Sequence, residues 1–339
     1  MSVLGSTDRP VVGAPMAGGV TSPLLVAAVS DAGGLGMLAA GYQTPEWLAA
    51  DLVHVRDLTT RPFGVNLFVP HPLDRPALEP EVEAFARRIA PEAADLGVRP
   101  GTVSWHDTDH WEAKVQLVET LAPPVVSCTF GVPDAEVVDR WRRAGCEVHV
   151  TVTSPAEACA AAAGGADVLV LQGQEAGGHR GTHDPGVDPE PLDHLGLLEL
   201  VRPTTDLPLV VAGGVTTAGD VRRALSGGAA AAQVGTALLL APESGAGRTY
   251  REALRDPRLA ERVQTRAYSG RVAGALATGW TRRHGDAPRA FPVVDQLTRP
   301  LRRAAAEAGD VDRLHLWAGS GWRAAQERPA GEIVRELAG

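Results

Sequence analysis

Eight short, mostly apolar runs punctuate the chain: Val11–Ala14, Leu35–Ala39, Phe63–Phe68, Val125–Ser127, Glu147–Thr151, Asp167–Leu171, Leu209–Val211 and Ala230–Val234. Continuous rather than alternating apolarity predicts strands covered on both faces, as in a parallel sheet under helices. Helix patterns separate the runs. Ser22-Pro23 opens a helix that Gly33 closes, Ser154-Pro155 opens one ending near Gly164, and Thr217 opens one stopping at Gly227-Gly228. A hydroxyl at the start can accept from first-turn N–H groups, proline presets that turn, and glycine ends it. Eight strand–helix repeats predict an α/β fold, a (β/α)8 barrel, with a doubly wound open sheet as the alternative.

Two stretches break the rhythm. Residues 69–124 contain the proline-rich "PHPLDRPALEPE" and a helix-like piece, too long for an ordinary connection. Residues 241–309, after the eighth run, read as charged and mostly helical with no strand repeat, a small substrate or cap domain over the barrel mouth. The expected division is therefore a barrel over 1–240 with its insertion at 69–124, a cap over 241–309, and a tail over 310–339. In that tail Ile333, Val334 and Leu337 have helical spacing and are expected to pack back on the barrel.

Composition narrows the function. The 339 residues carry 32 basic and 41 acidic side chains, a net charge of −9, without a clustered basic face, so nucleic acid is not an expected partner. Three cysteines without a CxxC pair predict neither a disulfide framework nor a zinc site, and a reduced, cytoplasmic setting fits them. No leader-like start and no unbroken apolar span appear, so no membrane is expected. The oligomeric state stays open, a homodimer included.

In such a barrel all strands end on one face, and functional groups belong just after them. There the chain places "APMAGG", Asn66, "QGQEAGGHRG" from Gln172, "AGGVTTAG" with Gly213 and Gly214, and "QVGT" with Gly235 and Thr236. The last two loops have the makings of a phosphate cradle: glycine lets backbone N–H groups come close, and a helix N-terminus adds its own. Ordinary tight turns are the plainer reading.

These motifs, with "APMAGGVTSPLLVAAVSDAGGLGMLAAGY", "FGVNLFVP", "VAGGVTTAGDVRRALSGGAAAAQVGTALL" and "YSGR", resemble the nitronate monooxygenases, formerly 2-nitropropane dioxygenases, in order and spacing along nearly the whole chain. The resemblance implies a TIM barrel with a small substrate domain and bound FMN. By motif position it implies flavin contacts at Asn66, Gln172, Gly177, Gly214, Gln233, Val234, Gly235 and Thr236, with main chain near Met16 beside the ring; Gly213 belongs to the same phosphate turn. The implied reaction uses O2 to turn a nitronate, or a nitroalkane, into a carbonyl compound and nitrite. His179 then suits a base that removes the proton next to the nitro group, because imidazole titrates near neutrality. Two alternatives remain. An NAD(P)H-using reductase of the enoyl-acyl-carrier-protein or quinone type would share the barrel and glycine motifs, and a flavin-binding protein without activity would share the cavity.

Other candidates carry weaker signals. "HDTDH", His106–His110, has ligand-type residues without a periodicity to align them, and His179 and His183 are separated by residues that break a helix, so no metal site is expected. "GGLGMLAAG" follows a helix rather than a strand, which argues against a dinucleotide fingerprint. Glu175 reads as a second acid or base, or as a partner for Arg180. Tyr268, Ser269 and Arg271 face substrate from the cap or lie on its surface. Cys128 reads as packing. After "YSGR" the chain departs from the family with "VAGALATGWTRRHG", which puts the substrate's identity in question rather than the cofactor's.

Overall fold

The computed structural model describes residues 2–339, with eight parallel strands closed into a barrel. In chain order the strands are β1 (Val11–Gly13), β2 (Leu35–Ala39), β3 (Phe63–Phe68), β4 (Val125–Thr129), β5 (Glu147–Val152), β6 (Val168–Gln172), β7 (Gly178–His179), β8 (Leu209–Ala212), β9 (Ala231–Val234), β10 (Arg262–Thr265) and β11 (Ala273–Leu276). The barrel order is β1–β2–β3–β4–β5–β6–β8–β9, and β9 pairs back on β1 with Gln233 opposite Val12. Each of the eight apolar runs forms one barrel strand, and closure removes the open-sheet alternative.

Local chemistry explains the connections. Ser22 Oγ accepts from the Leu25 N–H and Pro23 fills the first helical position; Ser154 and Pro155 repeat the device. Thr217 and Asp220 form a reciprocal capping box on the helix Ala218–Ser226. The helix Pro23–Asp31 lies so close to β2 that a Cβ on Gly36 would come within 2.2 Å of the Val26 carbonyl oxygen, so only glycine fits. Val12, Leu35, Met37, Val125, Val168, Val170 and Val210 fill the barrel interior. Outside it, Ile333, Val334 and Leu337 of the C-terminal helix Ala330–Ala338 join Val11, Leu25 and Val29 in one buried layer.

The insertion divides its loyalties. Its first helix, Arg75–Asp95, shares a core with the later segment, where Val82, Phe85 and Ile89 meet Tyr268, Trp280, Val294 and Leu301. Its second helix, Trp111–Leu121, covers the barrel through Val115 and Val118. The segment 241–309 is mostly helical, but it also holds β10 and β11, which the pattern did not reveal. These are four residues each and owe their strand conformation to partners: they pair with one another, and β11 pairs with β7, setting Ala273 opposite His179. Among the described residues no helix is long and apolar enough to cross a membrane.

Candidate active site

A cavity of about 190 Å³ opens where the barrel strands end. Its wall brings together Met16, Asn66, Gln172, Gly177, His179, Gly213, Gly214, Gln233, Gly235 and Thr236. Val234 stands apart, its side chain buried in the layer outside the barrel and its carbonyl accepting from the Ala14 N–H at 2.8 Å.

Part of the cavity wall is a group of backbone donors. Gly213 and Gly214 have φ of +98° and +75°, a region that glycine enters freely. Among the described residues, the N–H groups of Gly213, Gly214, Gly235 and Thr236 find no acceptor within the protein. These residues are half-buried on the cavity wall, so their free N–H groups are available to an anionic ligand. Ahead of the neighbouring helix, Asp220 accepts from the N–H groups of Thr216 and Thr217 at 2.9 and 2.8 Å, so those two are committed within the protein. The tail reaches the same place: Gly319 N–H donates to Thr236 Oγ1 at 3.0 Å.

Beside the nest, Asn66 Nδ2 donates to Ser127 Oγ and Thr129 Oγ1, both at 2.9 Å, and leaves Oδ1 uncommitted. Thr21 Oγ1 accepts from the Met16 N–H at 2.8 Å and fixes the first loop.

His179 lines the same cavity. Gln172 spans the turn leading to it: Nε2 donates to the His179 carbonyl at 3.0 Å, and Oε1 accepts from the Gly181 N–H at 2.8 Å. The imidazole stands among Phe291, Trp317 and Phe130, with ring centroids at 5.2, 5.5 and 5.8 Å. Its Nε2 is 2.8 Å from Ser269 Oγ. Titration near neutrality is not what this box allows. Burial pushes the imidazole down to about 3 against the pull of Asp295, with Arg271 and Arg302 adding to the fall. The resting side chain is neutral.

His315 is pushed down to about 3 for the same main reason, burial. Between pH 6.5 and 3 the unfolded chain binds protons that the folded chain refuses, so stability is full above 6.5 and falls as pH drops toward 3. Each histidine contributes a slope of at most about 1.4 kcal/mol per pH unit. Thermal unfolding from pH 7.5 to 5 should show the melting temperature dropping with acid, and His315→Phe should flatten the drop.

The remaining candidates are placed as follows. Glu175 does not pair with Arg180; its Oε1 accepts from His194 Nδ1 at 3.1 Å. Arg180 is buried, donates only to the Gln172 carbonyl at 3.3 Å, and burial lowers its guanidinium to about 10. Tyr268, Ser269 and Arg271 are all buried, not on the surface. Tyr268 donates to the Leu314 carbonyl at 2.9 Å, and the Arg271 guanidinium lies 3.8 Å over Phe130 while donating to the Thr182 carbonyl. Burial raises the Cys128 thiol far above its usual range, so it stays a protonated packing group. In "HDTDH", Asp109 is engaged by Lys114 at 2.7 Å and Asp107 by Gln296 at 2.6 Å. His183 Nε2 contacts the Thr151 carbonyl at 2.9 Å, away from His179.

Sequence reasoning missed the aromatic wall of Tyr42, Phe68, Phe130 and Trp317. Tyr42 and Phe130 adopt φ of +68° and +79°, strain of the kind that gathers at functional sites, and no sequence signal announces it. For Trp317 the signal was the glycine pair in "LWAGSGW": a Cβ on Gly319 would press within 2.9 Å of the Glu175 carbonyl oxygen.

A family model described as nitronate monooxygenase matches residues 4–339. A nitronate monooxygenase from Pseudomonas aeruginosa is 38% identical over 341 residues, spanning 97% of this chain and 95% of that protein. A probable nitronate monooxygenase from Staphylococcus aureus is 32% identical, spanning 98% and 94%. Among solved structures, a nitroalkane oxidase from Streptomyces ansochromogenes is 46% identical with a TM-score of 0.95, covering 99% of this chain and 97% of that one. FabK from Thermotoga maritima, 24% identical with a TM-score of 0.76 over 99% and 93%, shares the fold. With likeness running from the first strand through the glycine nest and the histidine turn to the last helix, the chain belongs to the nitronate monooxygenase family.

Proposed function

We propose that this oxidoreductase binds FMN across the barrel mouth and uses O2 to convert alkyl nitronates, and nitroalkanes after loss of a proton, into a carbonyl compound and nitrite. The observation that carries the reading is one cavity whose wall holds both unpartnered N–H groups and a neutral imidazole in an aromatic box. The residues fit the cofactor. Gly213, Gly214, Gly235 and Thr236 would hold its phosphate, and Asn66 Oδ1, Gln172, Gly177, Gln233 and the main chain at Met16 would line its length. FMN bound there would supply the electron transfer and oxygen chemistry that side chains lack.

The protein's own work is proton removal and shielding. A neutral imidazole has a lone pair free to take the proton from the carbon bearing the nitro group. The charge so created on His179 is disfavoured by its aromatic surroundings until a nitronate anion forms beside it, so base and product anion stabilise one another. Phe130, Phe291 and Trp317 pack around the imidazole and would help to shield that pair from bulk water. A substrate arriving as the nitronate needs no base.

The test measures nitrite release and oxygen uptake with propionate 3-nitronate and with neutral nitroalkanes, beside NADH and NADPH oxidation. Stoichiometric nitrite without nicotinamide is the expected result. Rapid anaerobic bleaching of the flavin by NADH or NADPH, with no nitrite from either nitro substrate, would replace this reading with a reductase.

A further inference from the structure

Ser269 is fully buried between the cap and the histidine turn, and three groups meet its Oγ: His179 Nε2 at 2.8 Å, and the N–H and carbonyl of Arg271, both at 3.3 Å. A hydroxyl gives one proton and accepts at two lone pairs. If Ser269 gave its proton to the imidazole, the carbonyl of buried Arg271 would have no donor among the described residues. If it gives the proton to that carbonyl, Oγ accepts from both the Arg271 N–H and a His179 Nε2–H, and every group is satisfied. Orphaned buried acceptors are costly, which decides between the two.

We infer that Ser269 holds resting His179 as the Nε2–H tautomer, so that Nδ1 is the atom that takes the substrate's proton. The placement of Nδ1 agrees. It has no partner within the protein, it is not among the sealed polar atoms, and His179 lines the main cavity. The inference rests on the proposed role of His179 as base and adds which nitrogen acts and what sets it.

The step balances simply. The substrate C–H bond breaks, an Nδ1–H bond forms, and the bonding pair moves onto the nitro group to give the nitronate. The imidazolium keeps its Nε2–H on Ser269 Oγ, now in a charge-assisted hydrogen bond. Ser269 touches neither substrate nor reacting atom and is a positioning residue.

The direct test is a long-range 1H–15N correlation on holoenzyme labelled with 15N-histidine, His179 being assigned by the signal missing from His179→Asn. An Nε2 that carries hydrogen and a bare Nδ1 are expected at pH 7; the reverse pattern overturns the proposal. Kinetics give the second readout. Ser269→Ala should lose at least tenfold in kcat on neutral nitroalkanes, with pre-formed nitronates changed less than threefold, and Ser269→Thr should recover most of the loss. Equal losses on both substrates would overturn the positioning role. The two claims fail separately: the expected tautomer in an enzyme whose His179→Asn variant still turns over nitroalkanes refutes the base, not the tautomer.

Discussion

His179→Asn should lower kcat/KM for neutral nitroalkanes by about 10²–10⁴, while pre-formed nitronates lose less than about tenfold. Asparagine keeps a polar group of similar reach and removes the proton-accepting lone pair, so the substitution separates chemistry from shape. It does disturb the box, since the imidazole meets Phe130, Phe291 and Trp317 edge-on or tilted. That disturbance is common to both substrates, and the ratio of the two losses isolates proton removal. Steady-state nitrite assays on the two forms of one nitro compound supply the ratio. A ratio near one would show that His179 orients the anion instead.

Gly213→Ala should yield protein that binds FMN at least about tenfold more weakly. Two causes act together. At φ +98° an alanine is strained by about 1–3 kcal/mol, and its Cβ would lie 2.8 Å from the Ala176 nitrogen, main chain of the histidine turn that cannot move without carrying His179 along. Gly228→Ala is the control. It has a φ of +95°, yet its Cβ would meet only the flexible side chain of Arg202 at 3.0 Å, at the far end of the helix Ala218–Ser226. Both variants should lose stability in thermal unfolding, and only Gly213→Ala should lose flavin in a fluorescence titration. Flavin loss in both would mean that strain, not the nest, was being measured.

The barrel was legible because its strands are enclosed on both faces and are mostly apolar, and because the helices between them carry hydroxyl and glycine punctuation. The turn at Gly213 and Gly214 was legible for a related reason: a backbone that bends to positive φ has few residues to choose from. The sheet that holds His179 was not. A two-residue strand such as β7 has no period, and its partner β11 lies far along the chain. The contact between His179 and Ser269 spans 90 positions and could not be seen as spacing. Gln172 looked like a flavin contact; the structure also gives its amide to the turn that aims His179. The expectation of near-neutral titration failed because sequence names the imidazole but not the aromatic walls that desolvate it.

The most direct measurement is a pair of binding titrations on flavin-stripped protein, one with FMN and one with riboflavin, which differ only in the phosphate. If the N–H groups of Gly213, Gly214, Gly235 and Thr236 hold that phosphate, FMN should bind at least about 100-fold more tightly, the worth of a few charge-assisted hydrogen bonds. Equal affinities, or no binding of either, would contradict the placement on which the mechanism rests.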